Sequence, residues 1–229
     1  MALLLSSSGG GDREVLPPDN YKAICYKIAD LGTRETTFEK DPPRKQRRIY
    51  IWWEIMHPKM EDGRPFSVGK EYTMSLNENS NLHKDLKSWR GRSFTEEELG
   101  GFDIANILGV SCDLEIIHTS GGNMKVLSVF KPDGGAKKTP THNECELFEL
   151  EEYVKEWKGE STAKSKEMCD IFADFPNFIQ EKINESFEMK AVEQSTKVKD
   201  GLAEMAKLTG APKQKEAVEG EFIDDDIPF

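Results

Sequence analysis

The stretch RKQRRIYIWW, Arg44 to Trp53, joins cations to aromatic rings within ten residues. Single-stranded nucleic acid is held by two kinds of contact, cations along its phosphates and aromatic faces on which bases stack. Arg44, Lys45, Arg47 and Arg48 supply the charge. The run that follows, IYIWWEIM, alternates as a strand. Ile49, Ile51, Trp53 and Ile55 share one face, assigned to the core, while Tyr50, Trp52 and Glu54 share the other. Trp52 is the better stacking residue and Trp53 belongs to the core by parity. The bland alternative is a solvated basic loop ahead of an ordinary strand, since charge runs are usually solvated. A second group is KSWRGR, Lys87 to Arg92, where Arg90 and Arg92 flank a helix end beside Trp89. Read functionally they clamp phosphate; read structurally they complement the helix dipole over a core Trp89. Lys70, Tyr72, Lys125 and Phe130 extend the same candidate surface.

Catalytic patterns do not occur. The sequence has no GxxxxGK[ST], HExxH or GxSxG, and His57, His83, His118 and His142 stand singly. Cys25, Cys112, Cys145 and Cys169 show no metal-ligand spacing and read as reduced thiols. Asp224, Asp225 and Asp226 lack the scaffold a divalent-metal site needs. The expectation is a protein that is not an enzyme and uses no cofactor.

The elements that must position these residues follow from period and punctuation. Tyr21–Gly32, Ile49–Met56 and Lys70–Leu76 read as strands. Leu82, Leu86 and Trp89 form a helical stripe with Ser80 at its N-cap and Gly91 past its end; Thr95–Glu98 is a capping box. Ser111–His118 and Met124–Lys131 are strands joined through a glycine-bearing turn. The class is mainly β with α. The order is compatible with a five-stranded OB-fold barrel carrying a helical insertion between strands 3 and 4, and equally with other α+β sheets.

In an OB-fold the loop after strand 1 and the face of strands 2 and 3 bind the ligand, and the basic–aromatic stretch falls there. The organisation expected is a flexible leader (1–19), the OB domain (20–131), a linker (132–142), an acidic helical extension packed on the barrel or on a partner copy (143–191) and a disordered acidic tail (192–229). In the extension Ile171, Phe175, Phe178, Ile179, Ile183 and Phe187 form an apolar stripe interrupted by Pro176.

The chain of 229 residues carries a net charge of −11, but residues 20–132 alone are at +1 and the rest at −12. A near-neutral body with basic patches can hold a polyanion. No apolar run approaches the roughly 20 residues of a membrane span, which predicts no membrane partner.

Two parts of the sequence resemble known proteins. The closing DDDIPF, Asp224, Asp225, Asp226, Ile227, Pro228 and Phe229, is similar to the acidic tip of bacterial single-stranded DNA-binding proteins, where it follows an OB-fold and a disordered linker. NYKAICYKIADLGT, IYIWWEI, GKEYTMSLNENSNLHKDLKSWRGRSFTEEELGGFDIANILG and FPNFIQEKINES resemble a family of phage-encoded single-stranded DNA-binding proteins, over about Asn20 to Lys190. The body is not close to the bacterial barrel, and an acidic helical segment precedes the tail, so the DNA contacts above come from pattern and not from the resemblance.

The resemblance implies sequence-independent binding of single-stranded DNA in replication or recombination, in the cytoplasm of an infected bacterial host. The tip would recruit replication proteins, and a homo-oligomer is compatible with the sequence. Two other classes remain open: a replisome adaptor with little DNA binding, and an RNA-binding OB-fold.

Overall fold

A computed structural model describes residues 14–37 and 42–196. The chain divides into two units, Met1–Val192 and Glu193–Phe229. Of the second, only residues 193–196 are described, and they are helical. Of the expected flexible leader (1–19), residues 14–19 are described, and Leu16 is buried in the core rather than free; of the expected tail (192–229), residues 192–196 are described, and the tip Asp224–Phe229 lies outside the described residues.

The first unit is mainly β with helices. Its strands are β1 (Asp19–Thr36), β2 (Arg44–Lys59), β3 (Pro65–Thr73), β4 (Ser111–His118), β5 (Met124–Phe130) and β6 (Glu146–Phe148). They form one sheet in the order β3-β2-β1-β4-β5, and β6 pairs with β1. All neighbours run antiparallel except β6, which is parallel to β1. The hydrogen-bonded path is open between β3 and β5. Across that gap the Lys70 ammonium donates to the Leu127 carbonyl at 2.7 Å and pairs with Asp85 at 2.7 Å.

β1 is the spine. Its first half pairs with β4 (Asp19 to Ile24) and, beyond a register shift at Cys25/Lys27, its middle pairs with β6. Bulges of this kind bend a strand and raise its twist, which lets one 18-residue strand serve three neighbours.

Between β3 and β4 lie α1 (Asn81–Arg90), α2 (Glu96–Gly100) and a 3-10 turn (Ile104–Ile107). The sequence signals operate as expected. Ser80 Oγ accepts from the His83 N–H, Gly91 closes α1 in the left-handed region, and Thr95 and Glu98 form a capping box. Leu82, Leu86 and Trp89 pack onto the inner face of the sheet with Ile49, Ile51, Trp53 and Ile55. Trp53 and Trp89 meet with ring centroids 6.2 Å apart, and the Trp89 indole donates to the Ser111 carbonyl at 2.7 Å.

The extension forms α3 (Leu150–Lys158), α4 (Ala163–Ala173) and α5 (Asn177–Asn184), with a further helix starting at residue 187. It lies against the other face of the sheet. Ala29, Leu31 and Trp52 are buried there with Phe148, Leu150, Phe175, Ile179 and Ile183, a second apolar core. Of the expected stripe, Ile171, Phe175, Ile179 and Ile183 are buried, whereas Phe178 and Phe187 face outward.

Residues 132–142, expected as a linker, are pinned to the sheet. The Ser111 N–H donates to the Lys137 carbonyl and the Thr139 N–H to the Gly109 carbonyl. Glu54 then anchors the return. Its carboxylate, 4% exposed, accepts from His142 N at 2.7 Å and from Asn143 N and Nδ2 at 2.9 and 2.7 Å. A buried carboxylate is tolerated where several donors meet it.

Candidate nucleic-acid interface

The outer face of β2 and β3 is a ladder. Trp52 stands opposite Gly69, Tyr50 opposite Glu71, and Arg48 opposite Thr73. The Tyr50 ring fills the space over Gly69 of β3, where a Cβ would stand 2.1 Å from Tyr50 Cε1. Trp52 packs tilted against Tyr50 at 4.4 Å between centroids. Phe178 of α5 meets Tyr50 edge-on at 6.0 Å and is 45% exposed. Tyr50, Trp52, Gly69 and Phe178, together with the β4–β5 turn at Gly122 and Asn123, line a groove of about 730 Å³. Burial, then the charge of Glu71, push the Tyr50 phenol up to about 12, so it is neutral at physiological pH.

The sequence placed Tyr50 and Trp52 together, and the structure keeps them together with a different division of labour. Trp52 is 7% exposed, and the Phe175 ring stacks on it with centroids 5.6 Å apart and planes 5° apart. An intramolecular ring thus occupies the place expected for a base. The exposed aromatic of the groove is Phe178, which the stripe of the extension had assigned to packing.

The four cations expected in a loop stand on β2 instead, paired with β1, and they separate likewise. Arg44 and Lys45 are exposed, and Lys45 Nζ sits 4.3 Å from the centre of the Phe187 ring. Arg47 turns back onto Asp30 and Glu151, and the Asp30 hydrogen bonds raise its pKa. Arg48 donates to Glu71 at 2.8 Å and to Thr73 at 2.6 Å. Glu71 also accepts from Arg34 at 2.6 Å and from Lys182. Burial works to raise the Glu71 carboxyl, but hydrogen bonds from Lys182 and Arg48 and the charge of Arg34 outweigh it and leave it below the ordinary value.

Other expected contacts lie apart from the groove. Tyr72 is buried in the inner core with its hydroxyl on Asp85 at 2.8 Å, and Lys70 spans the gap between β3 and β5; both face inward and hold the fold. Arg90 bonds Glu98 and lies over the Phe94 and Phe102 rings, while Arg92 bonds the same Glu98 at 2.7 Å. This knot ties α1 to α2 through Glu98, a contact neither reading of KSWRGR named, while Trp89 is buried in the core. Lys125 and Phe130 are exposed on β5, away from the groove lining. Sequence reasoning missed Arg34, which stands on β1 beyond the Gly32 where the strand was read to end, and Phe178, Lys182, Phe187 and Lys190 as site residues, because these reach the sheet face only through tertiary contact.

Comparison with known proteins finds no matching family model, characterised protein or solved structure. Among the described residues no group of three His, Cys, Asp or Glu side chains could hold a metal ion, and no helix is long and apolar enough to cross a membrane.

Proposed function

We propose that the body is an OB-fold and that the protein binds single-stranded DNA without sequence preference, through the groove on β2 and β3. Three features support the fold reading: the strand order, the helix inserted between β3 and β4, and the close approach of β3 to β5 through Lys70. The observation that carries the function is the position of the groove. OB-folds bind oligonucleotides across strands 2 and 3, between the β1–β2 and β4–β5 loops. This groove lies on β2 and β3 and is walled by the β4–β5 turn. Its floor is aromatic, and Lys45, exposed further along β2, lies on the Phe187 ring of the extension. Rings with cations suit a ligand whose bases all present a π-face and whose backbone is anionic.

The sequence resemblance sets this activity in phage DNA replication or recombination, in the host cytoplasm, with the tip Asp224–Phe229 as a peptide ligand for replication proteins. The apolar Ile227 and Phe229 suit an apolar pocket, and the aspartates suit a basic rim. No catalytic step is assigned to the protein.

The test is titration of labelled oligo(dT) with the full chain at two salt concentrations. Affinity is expected to fall with salt by a log–log slope of about −0.7 per phosphate neutralised. Phe178→Ala and Tyr50→Ala are each expected to weaken binding about 5- to 100-fold, the value of one base stack. Absent or salt-independent binding by wild type refutes the reading and leaves the adaptor class; preference for oligo(U) in competition redirects it to RNA.

A further inference from the structure

A second opening lies further along the same ladder. From Tyr50 to Arg48 is two residues of β2, about 7 Å, of the order of one extended nucleotide. There a pocket of about 470 Å³ is lined by Arg34, Arg48, Lys190 and Phe187. Glu71, Glu35 and Glu185 also line it. Glu71 is engaged by Arg34, Arg48 and Lys182 together. The lining itself carries three cations and three carboxylates, and Lys182 and Lys45 join them through Glu71 and the Phe187 ring.

Two details point to an anionic ligand. The Arg34 Nε is buried and has no acceptor among the described residues, and a buried donor without a partner is unfavourable until an acceptor arrives. Phe187 is 37% exposed at the pocket, while Ile183 before it and Val192 after it on the extension are buried in the core. Between groove and pocket runs α5, where Phe178 and Lys182 stand one turn apart with Lys182 Nζ 5.8 Å from the ring centre. The ridge that separates the two openings therefore carries the same pair of groups, a ring and a cation.

We infer that this pocket is a second nucleotide subsite, taking a phosphodiester against Arg34, Arg48 and Lys190 with the adjoining base on Phe187. The strand passes from the groove over Phe178 and Lys182 into the pocket. The extension is then part of the binding surface, supplying Phe178, Lys182, Phe187 and Lys190. This inference rests on the proposed reading of the groove.

The test uses the full chain and an oligo(dT) long enough to span both openings, with Phe187→Ala, Lys190→Ala and the groove variant Phe178→Ala. Phe187 and Lys190 are exposed, and thermal melting checks that each variant folds. Phe187→Ala is expected to weaken binding about 5- to 100-fold, and Lys190→Ala to flatten the salt slope by about 0.7. A 5-iododeoxyuridine oligonucleotide, photocrosslinked to wild type and mapped by mass spectrometry, is expected to give adducts in the peptide carrying Phe187 as well as at the groove. Loss of affinity in Phe178→Ala alone, with adducts confined to the groove, overturns the second subsite and leaves the groove standing. No binding by wild type overturns both.

Discussion

Replacing Glu54 isolates the contact that brings the chain back over the outer face of the sheet. Its carboxylate takes three N–H donors, two of them main-chain groups of His142 and Asn143, at 2.7 to 2.9 Å. Hydrogen bonds to a charged acceptor are worth about 1.5–3 kcal/mol each. The Asn143 side chain can turn to water when the acceptor goes, and the backbone at His142 lies near the surface. Two main-chain bonds at the low end of the range then put Glu54→Ala at about 3 kcal/mol of destabilisation. For a protein of this size that lowers Tm by about 6–12 °C. Glu54→Gln retains one acceptor oxygen but turns an amide N–H toward a donor, and is expected to lose about half as much. Thermal melting with urea titration gives the global value. Amide hydrogen exchange gives the local one, with His142 and Asn143 expected to exchange faster than their neighbours. The reasoning is refuted if Glu54→Ala stays within about 0.5 kcal/mol of wild type, the ordinary range for a surface change, or if those two amides keep their protection.

Two further outcomes follow from the side-chain environments. The folded-state pKa of Glu71 is depressed, so its contribution is present above the unfolded glutamate value of about 4.3 and is lost as pH falls through the lower folded value. Glu71→Gln is therefore expected to lose less Tm than wild type between neutral pH and pH about 3, and parallel melting-versus-pH curves would contradict this. Burial pushes the Cys25 and Cys112 thiols well above the ordinary cysteine value, while Cys145 is exposed. An aromatic disulfide reagent should label Cys145 first in the native protein and reach Cys25 and Cys112 only in denaturant; early labelling of either buried thiol would argue against this packing.

Local order was legible in the sequence wherever the cause was local. The N-cap Ser80, the left-handed Gly91, the capping box from Thr95 to Glu98 and the inward face of β2 are set by neighbours a few residues away, and all stand as expected. The outer face of β2 was read as solvent-facing because Tyr50, Trp52 and Glu54 alternate with the core residues. A strand buried on both faces reads instead as a nearly continuous apolar run, and IYIWW is such a run. The mixed polarity at Glu54 concealed it, since a carboxylate is buried only when donors from elsewhere in the chain meet it. β6 went unseen for a related reason, as three residues carry no usable period.

The candidate site divides in the same way. Sequence alone determined that cations and rings gather around β2, because residue type and strand parity are properties of the chain. It could not determine which of them face a ligand. Arg47 and Arg48 look alike as loop cations, yet Asp30 and Glu71, distant in sequence, engage them. Trp52 and Phe178 exchanged roles once the turn between α4 and α5 set Phe175 on the indole and α5 left Phe178 outside. Pairing depends on neighbouring strands 17 and 23 residues away, and exposure and the course of the groove on helices more than a hundred residues away, so only the tertiary structure decided them.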